Sequence, residues 1–237
     1  VVFKDGTSEN FDAVIACTGY RAQAEAFFEN GGNLLDARGY PRNLWFDEPH
    51  YRRRYPDVIT TMATTPLASG FDNYCRGGNL SRRPHWLFDE IYYRARHPDL
   101  SEDALRQNNI VNGYSHFLSD GNKEGRIGHP LFDPAMYLPN FPTEEADRIR
   151  TEGPYQHYLR RIEHRSAELR VSPYFDPDWY LDRYPAVATA IAAGEWRCAL
   201  EHYLCNDTPT AFDPLPEFSE AFYLGGDPNL VAAVEQR

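Results

Sequence analysis

One motif recurs along most of this 237-residue chain and fixes what it can fold into. Phe46-Asp47-Glu48-Pro49-His50-Tyr51 is followed by Phe88-Asp89-Glu90-Ile91-Tyr92-Tyr93, Phe132-Asp133-Pro134-Ala135-Met136-Tyr137 and Phe175-Asp176-Pro177-Asp178-Trp179-Tyr180, and a fifth copy runs from Phe218-Ser219 to Tyr223. The leading Phe stands at 46, 88, 132, 175 and 218, in steps of 42, 44, 43 and 43 residues. In all five copies a Tyr comes five residues after the Phe and a Pro ten residues after it. A period of this length is the mark of a repeat architecture.

Local physics explains the motif as a helix start. Asp, or Ser219 in the last copy, is a good N-cap, and Pro134 and Pro177 fall at the first helical position, where proline gives up no hydrogen bond. Phe before the cap and Tyr four residues after it form a hydrophobic staple. The later Pro ends this first helix and is able to start a second. A third helix is predicted in the first four copies from i, i+3, i+4 apolar spacing: Phe71 with Tyr74, Tyr114 with Phe117 and Leu118, Tyr155 with Tyr158 and Leu159, Leu200 with Tyr203 and Leu204. The expected fold is therefore mainly α: tandem three-helix repeats of about 43 residues in an α-solenoid-like stack over residues 45–237, each unit covering its neighbour's apolar face. The fifth copy is either a terminal cap or part of a longer array.

Residues 1–43 differ in kind. Val1–Phe3 and Phe11–Cys17 are β-type runs joined by Lys4-Asp5-Gly6-Thr7, a hairpin signal. The stretch Val2-Phe3-Lys4-Asp5-Gly6 to Asp12-Ala13-Val14-Ile15-Ala16-Cys17-Thr18-Gly19-Tyr20 resembles a late segment of flavin-containing monooxygenases, with Cys17 where that family usually has Ala. Leu34-Leu35-Asp36-Ala37-Arg38-Gly39-Tyr40-Pro41 extends the likeness. The resemblance implies part of a nucleotide-binding domain. No Gly-x-Gly-x-x-Gly turn follows a strand in the chain, so no cofactor is expected, and FAD and NADP enter only with nucleotide-binding regions upstream of Val1. The repeats resemble the Phe-Asp-Pro-x-x-Tyr-Leu … His-Tyr-Leu units that accompany bacterial glycosyltransferases and other polysaccharide-related proteins, most fully from Phe175 to Leu204. That likeness implies a bacterial, glycan-associated setting, cytoplasmic or at the envelope.

Charge and composition narrow the partners. A formal charge of -11 disfavours nucleic acid. No apolar run reaches the length of a membrane helix. Four cysteines without a Cys-x-x-Cys pair suggest free thiols, and Cys198 and Cys205, seven apart on a helix, stand too far apart to bridge.

Candidate site residues each carry a structural alternative. His116, His157 and His202 occupy equivalent positions, but repeats hold them too far apart to share a metal. The repeated aspartates resemble catalytic carboxylates, yet N-capping accounts for all of them. No Gly-x-Ser-x-Gly elbow is present, and no catalytic residue is assigned. Arg52-Arg53-Arg54 and Arg82-Arg83 offer charge for a phosphate or acidic sugar, or are a solvated helix face. Trp45, Trp86 and Trp179 with Arg52 and Arg53 form a candidate ligand groove, against core packing as the plainer role for the rings. The expected function is a non-catalytic repeat module for protein or glycan interaction or scaffolding, with self-association among the options. The competing expectations are the C-terminal part of an FAD- and NADPH-dependent monooxygenase and an accessory region of a polysaccharide glycosyltransferase.

Overall fold

The computed structural model describes residues 41, 45–65, 67–208 and 211–225. The described residues all lie in one compact unit, Leu34–Arg237. The expected hairpin at residues 1–17 and, apart from Pro41, the flavoprotein-like segment at residues 1–43 lie outside them.

The protein is mainly helical, with thirteen α-helices and no strand among the described residues. The helices group behind the leading phenylalanines. Behind Phe46 come α1 (Glu48–Arg54), α2 (Pro56–Thr64) and α3 (Gly70–Cys75), and behind Phe88 come α4 (Glu90–Arg96), α5 (Glu102–Gln107) and α6 (Gly113–His116), which runs on into a π-type turn at Phe117–Gly121. Phe132 is followed by α7 (Pro134–Tyr137), α8 (Thr143–Glu152) and α9 (Pro154–Glu163), and Phe175 by α10 (Pro177–Arg183), α11 (Pro185–Ala193) and α12 (Ala199–Cys205). After Phe218 only α13 (Glu220–Leu224) is described.

Each group begins in the same way. Asp47 accepts from His50 N–H at 2.9 Å, Asp89 from Tyr92 N–H at 2.9 Å, Asp133 from Ala135 N–H at 2.8 Å, Asp176 from Trp179 N–H at 3.1 Å and Ser219 from Phe222 N–H at 3.3 Å. These bonds satisfy amide donors that a helix start leaves without intrahelical partners. The Phe and Tyr rings that flank each cap touch, with centroids 5.0, 5.4, 5.6, 5.1 and 5.6 Å apart from the first pair to the fifth. Pro56 and Pro185 open the following helix, Pro98 opens a 3-10 turn and Pro142 caps α8.

Neighbouring groups are stitched by one recurring backbone bond. The amide of each leading Asp donates to a carbonyl four residues before the next Phe: Asp47 to Pro84 at 2.8 Å, Asp89 to Gly128 at 3.0 Å, Asp133 to Val171 at 2.8 Å and Asp176 to Pro214 at 3.1 Å. The third helices supply the inner wall. Tyr74, Phe117, Tyr158 and Leu200 are each no more than 2% exposed. Most buried rings share one cluster that runs from Trp45 to Cys205, while Phe46, Tyr51, Val58 and Tyr74 form a smaller one.

Candidate functional site

The buried tyrosine of each group is where sequence spacing meets side-chain chemistry. Tyr51, Tyr93, Tyr137 and Tyr180 are all fully buried. A buried phenol needs a partner, and the third helix provides one at a fixed place. The Tyr51 hydroxyl donates to Asn73 Oδ1 at 2.9 Å, and Tyr93, Tyr137 and Tyr180 share hydrogen bonds with Nδ1 of His116 at 3.0 Å, His157 at 2.7 Å and His202 at 2.7 Å. Burial lowers the pKa of all three imidazoles, which keeps them neutral at pH 7. The histidine row thus holds tyrosines, and among the described residues no group of His, Cys, Asp and Glu is placed to hold a metal ion.

A buried ionic cluster joins distant parts of the chain. Arg197, just before α12, meets Asp47 at the start of α1, 150 residues away, and also Glu163 at 3.1 Å and Glu201 at 2.9 Å. Burial alone raises the Asp47 pKa, but the Arg197 guanidinium and the His50 amide outweigh it and hold the carboxyl well below the ordinary carboxylate range. Arg53 reinforces the junction, with its guanidinium 4.9 Å from the Trp196 ring centre and a bond to the Cys205 carbonyl at 3.4 Å. Cys205 Sγ lies 3.6 Å from His50 Nδ1, an arrangement that resembles a nucleophile beside its base. Its electrostatics are wrong for that chemistry. Burial pushes the Cys205 thiol up and the His50 imidazole down to about 4, so both are neutral and no thiolate forms at pH 7. The cluster ties two ends together and leaves no activated nucleophile.

An open groove of about 680 Å³ lies between the turn after α3 and the outer face of α4. Leu80 and Ile91, which line it, are 82% and 78% exposed, the most exposed large aliphatic side chains among the described residues. Arg82, Arg83 and Arg94 add cationic rims. Arg82 pairs with Asp57 at 2.6 Å, Arg83 pairs with Asp89 at 2.7 Å, and Arg94 Nε donates to the Leu100 carbonyl at 3.2 Å. Its one lining ring is the His97 imidazole, and no Phe, Tyr or Trp lines it.

The candidate groove residues from the sequence are dispersed by comparison. Trp45 and Trp86 are 2% and 4% exposed and belong to the main core, because rings at these spacings are covered by the neighbouring groups, and they offer no open face to a sugar. Trp179 packs half-buried against the same core and against Tyr184. Arg52 pairs with Glu48 at 2.5 Å, and Arg53 is spent on Trp196 and Cys205. None of the five lines the 680 Å³ groove. Of the residues the sequence singled out, Arg82 and Arg83 do reach it, whereas Leu80 and Ile91 carry no sequence signal of their own.

No protein-family model, curated protein or solved structure matches this chain. Among the described residues, no helix is long and apolar enough to cross a membrane.

Proposed function

We propose that this chain is a non-catalytic helical-repeat module that binds a protein partner through the groove beside α4. The array has five copies of one unit, and in the first four all three helices are among the described residues. Support comes from the cap, the Phe–Tyr contact, the Tyr–His or Tyr–Asn bond and the Asp-to-carbonyl stitch, which recur at steps of 42 to 44 residues. A strictly open solenoid has contacts only between neighbouring units. Arg197 of the fourth unit meeting Asp47 of the first favours instead a short array wound back on itself.

The observation that carries the binding function is that Leu80 and Ile91 flank one groove. Exposed aliphatic side chains gathered in a concavity and rimmed by arginines suit an apolar segment with flanking carboxylates. The absence of Phe, Tyr and Trp from the lining argues against a glycan as the occupant of this groove, since sugars pack on such ring faces. A random-sequence peptide display selection on the full chain tests the proposal, with Leu80→Asp/Ile91→Asp as the comparison. Enrichment of aliphatic, acidic peptides that lose affinity for the double variant, with unchanged thermal unfolding, supports it. Peptides that bind both proteins equally, or glycan-array hits that survive the double substitution, contradict it. The oxidoreductase alternative rests on residues outside the described ones, and a visible flavin absorption band in the purified protein would favour it.

A further inference from the structure

The first unit has a core of its own. Phe46, Tyr51, Val58 and Tyr74, with Tyr55, Met62 and Phe71 packed against them, form a cluster separate from the one that the buried rings of the second, third and fourth units share. Those later units are joined through the shared core, as where Phe117 of the second packs against Tyr155 of the third with centroids 5.0 Å apart. The chain enters the first unit at Trp45–Phe46 and leaves it at Pro84–His85, and Trp45, Trp86 and Leu87 belong to the larger cluster. The two crossings lie side by side, bonded from Asp47 N–H to the Pro84 carbonyl at 2.8 Å. Up to Pro84 the connecting segment stays with the first unit: Arg82 N–H donates to the Gly78 carbonyl at 2.8 Å, Arg83 N–H to the Tyr55 hydroxyl at 2.8 Å, and Arg82 pairs with Asp57 at 2.6 Å.

With the two cores separate, polar contacts hold this unit against the others. Asp47, His50 and Arg53 stand three residues apart, on one face of α1, and each meets the fourth unit. Asp47 meets Arg197, His50 Nδ1 lies 3.6 Å from Cys205 Sγ, and Arg53 bonds the Cys205 carbonyl and lies over the Trp196 ring. On the side of the second unit, Asn112 Nδ2 donates to the Tyr74 hydroxyl at 2.8 Å and to the Asn79 carbonyl at 3.0 Å, and Arg83 pairs with Asp89 at 2.7 Å. Groups of this kind regain hydrogen bonds from water when they part, whereas parted rings lose their burial outright. Arg197 also keeps Glu163 and Glu201, both away from the first unit, so separation from Asp47 leaves no unpaired cation.

We propose that α1, α2 and α3 move as one lobe, which swings open about the paired crossings at Phe46 and Pro84 when the α1 face parts from the fourth unit. The Asp47–Arg197 pair is its catch. The groove beside α4 lies across this joint, with Leu80 and Arg82 on the lobe and Ile91 and Arg94 on the second unit, so opening draws its walls apart. That effect on binding rests on the groove reading proposed above; the opening itself does not.

Native-state hydrogen exchange of the full chain, followed through rising urea below the unfolding transition, tests this. The slowest amides of α1, α2 and α3 should exchange at least about tenfold faster than those of α9 and α10. They should do so through one shared opening with a shallower urea slope, since less surface is exposed than in complete unfolding. Asp47→Asn should speed the lobe about tenfold further, the size of a lost charged hydrogen bond. Tyr180→Phe should speed α9 and α10 about tenfold and leave the lobe at the parent rate, because the fourth unit stays folded while the lobe opens. One opening with one slope for all helices overturns the proposal, as does separate exchange of α1, α2 and α3 without a common slope. So does a lobe indifferent to Asp47→Asn, or one that Tyr180→Phe speeds as much as α9. No ligand enters the measurement, so these outcomes leave the groove reading standing, and a peptide selection that finds no binder leaves the opening standing.

Discussion

Asp47 uses one carboxylate oxygen to cap α1 through His50 N–H and the other to meet Arg197 from far along the chain. Removing Arg197 would leave that carboxylate buried without a counter-charge. Arg197→Met should therefore lower unfolding free energy by about 3 kcal/mol in a denaturant titration, and adding Asp47→Asn should recover part of the loss. Titration of single residues gives a second check. Burial raises the Glu168 pKa from 4.5 to about 7 against the pull of the Ala199 and Leu200 amides. A carboxyl whose folded pKa is raised takes up a proton more readily in the folded state, so its contribution falls as pH rises from 4.5 to about 7 and is flat above that. Glu168→Gln copies the neutral form, and its stability relative to the parent should climb across that window; a difference independent of pH refutes the assignment. His85 has the opposite sign. Burial lowers its pKa from 6.5 to about 3, so stability should drop as pH falls through that range, where the unfolded imidazole binds protons that the buried one does not.

At the scale of the element, what could be read from sequence was what acts within a few residues. Asp133 and Asp176 are caps because the donor they serve is two or three positions away, and Pro185 begins a helix because its ring fixes the local backbone. Each cap predicts a loss of about 1 kcal/mol in thermal unfolding for Asp→Ala, with the excess hydrogen exchange confined to the first turn of α7 or α10. The receptors of the third helices were not legible, because Glu48, Glu90 and Glu168 find their amides 22 to 32 residues away. Gly113 exposes that coupling. In an isolated helix Ala would be favoured over Gly, yet here a Cβ at 113 would lie 2.8 Å from Glu90 Oε1, so the carboxylate must swing aside and give up the Gly113 and Tyr114 amides, and Gly113→Ala should destabilise the protein. A stabilised Gly113→Ala variant would contradict the close approach.

Across the whole molecule, the period of about 43 residues foretold the mainly helical fold but not how its ends meet. No spacing announces that Arg197 will find Asp47, or that Leu80 and Ile91, unremarkable in sequence, will border one groove. The tryptophans were ambiguous for a related reason: a ring that stacks on a sugar and a ring that fills a core have the same sequence, and only burial separates them. The proposed account of the molecule is one repeated unit whose buried Tyr, five residues after the leading Phe, is held by a hydrogen bond from the third helix. A five-position Tyr→Phe scan tests it most directly, because the substitution removes a hydroxyl and little else. At Tyr51, Tyr93, Tyr137 and Tyr180 the loss of a buried hydrogen bond should cost about 1 to 2 kcal/mol each in equilibrium unfolding, while Tyr223→Phe, at a ring 53% exposed, should fall within about 0.5 kcal/mol of the parent. Equal costs at all five positions, or no cost at the first four, would contradict it.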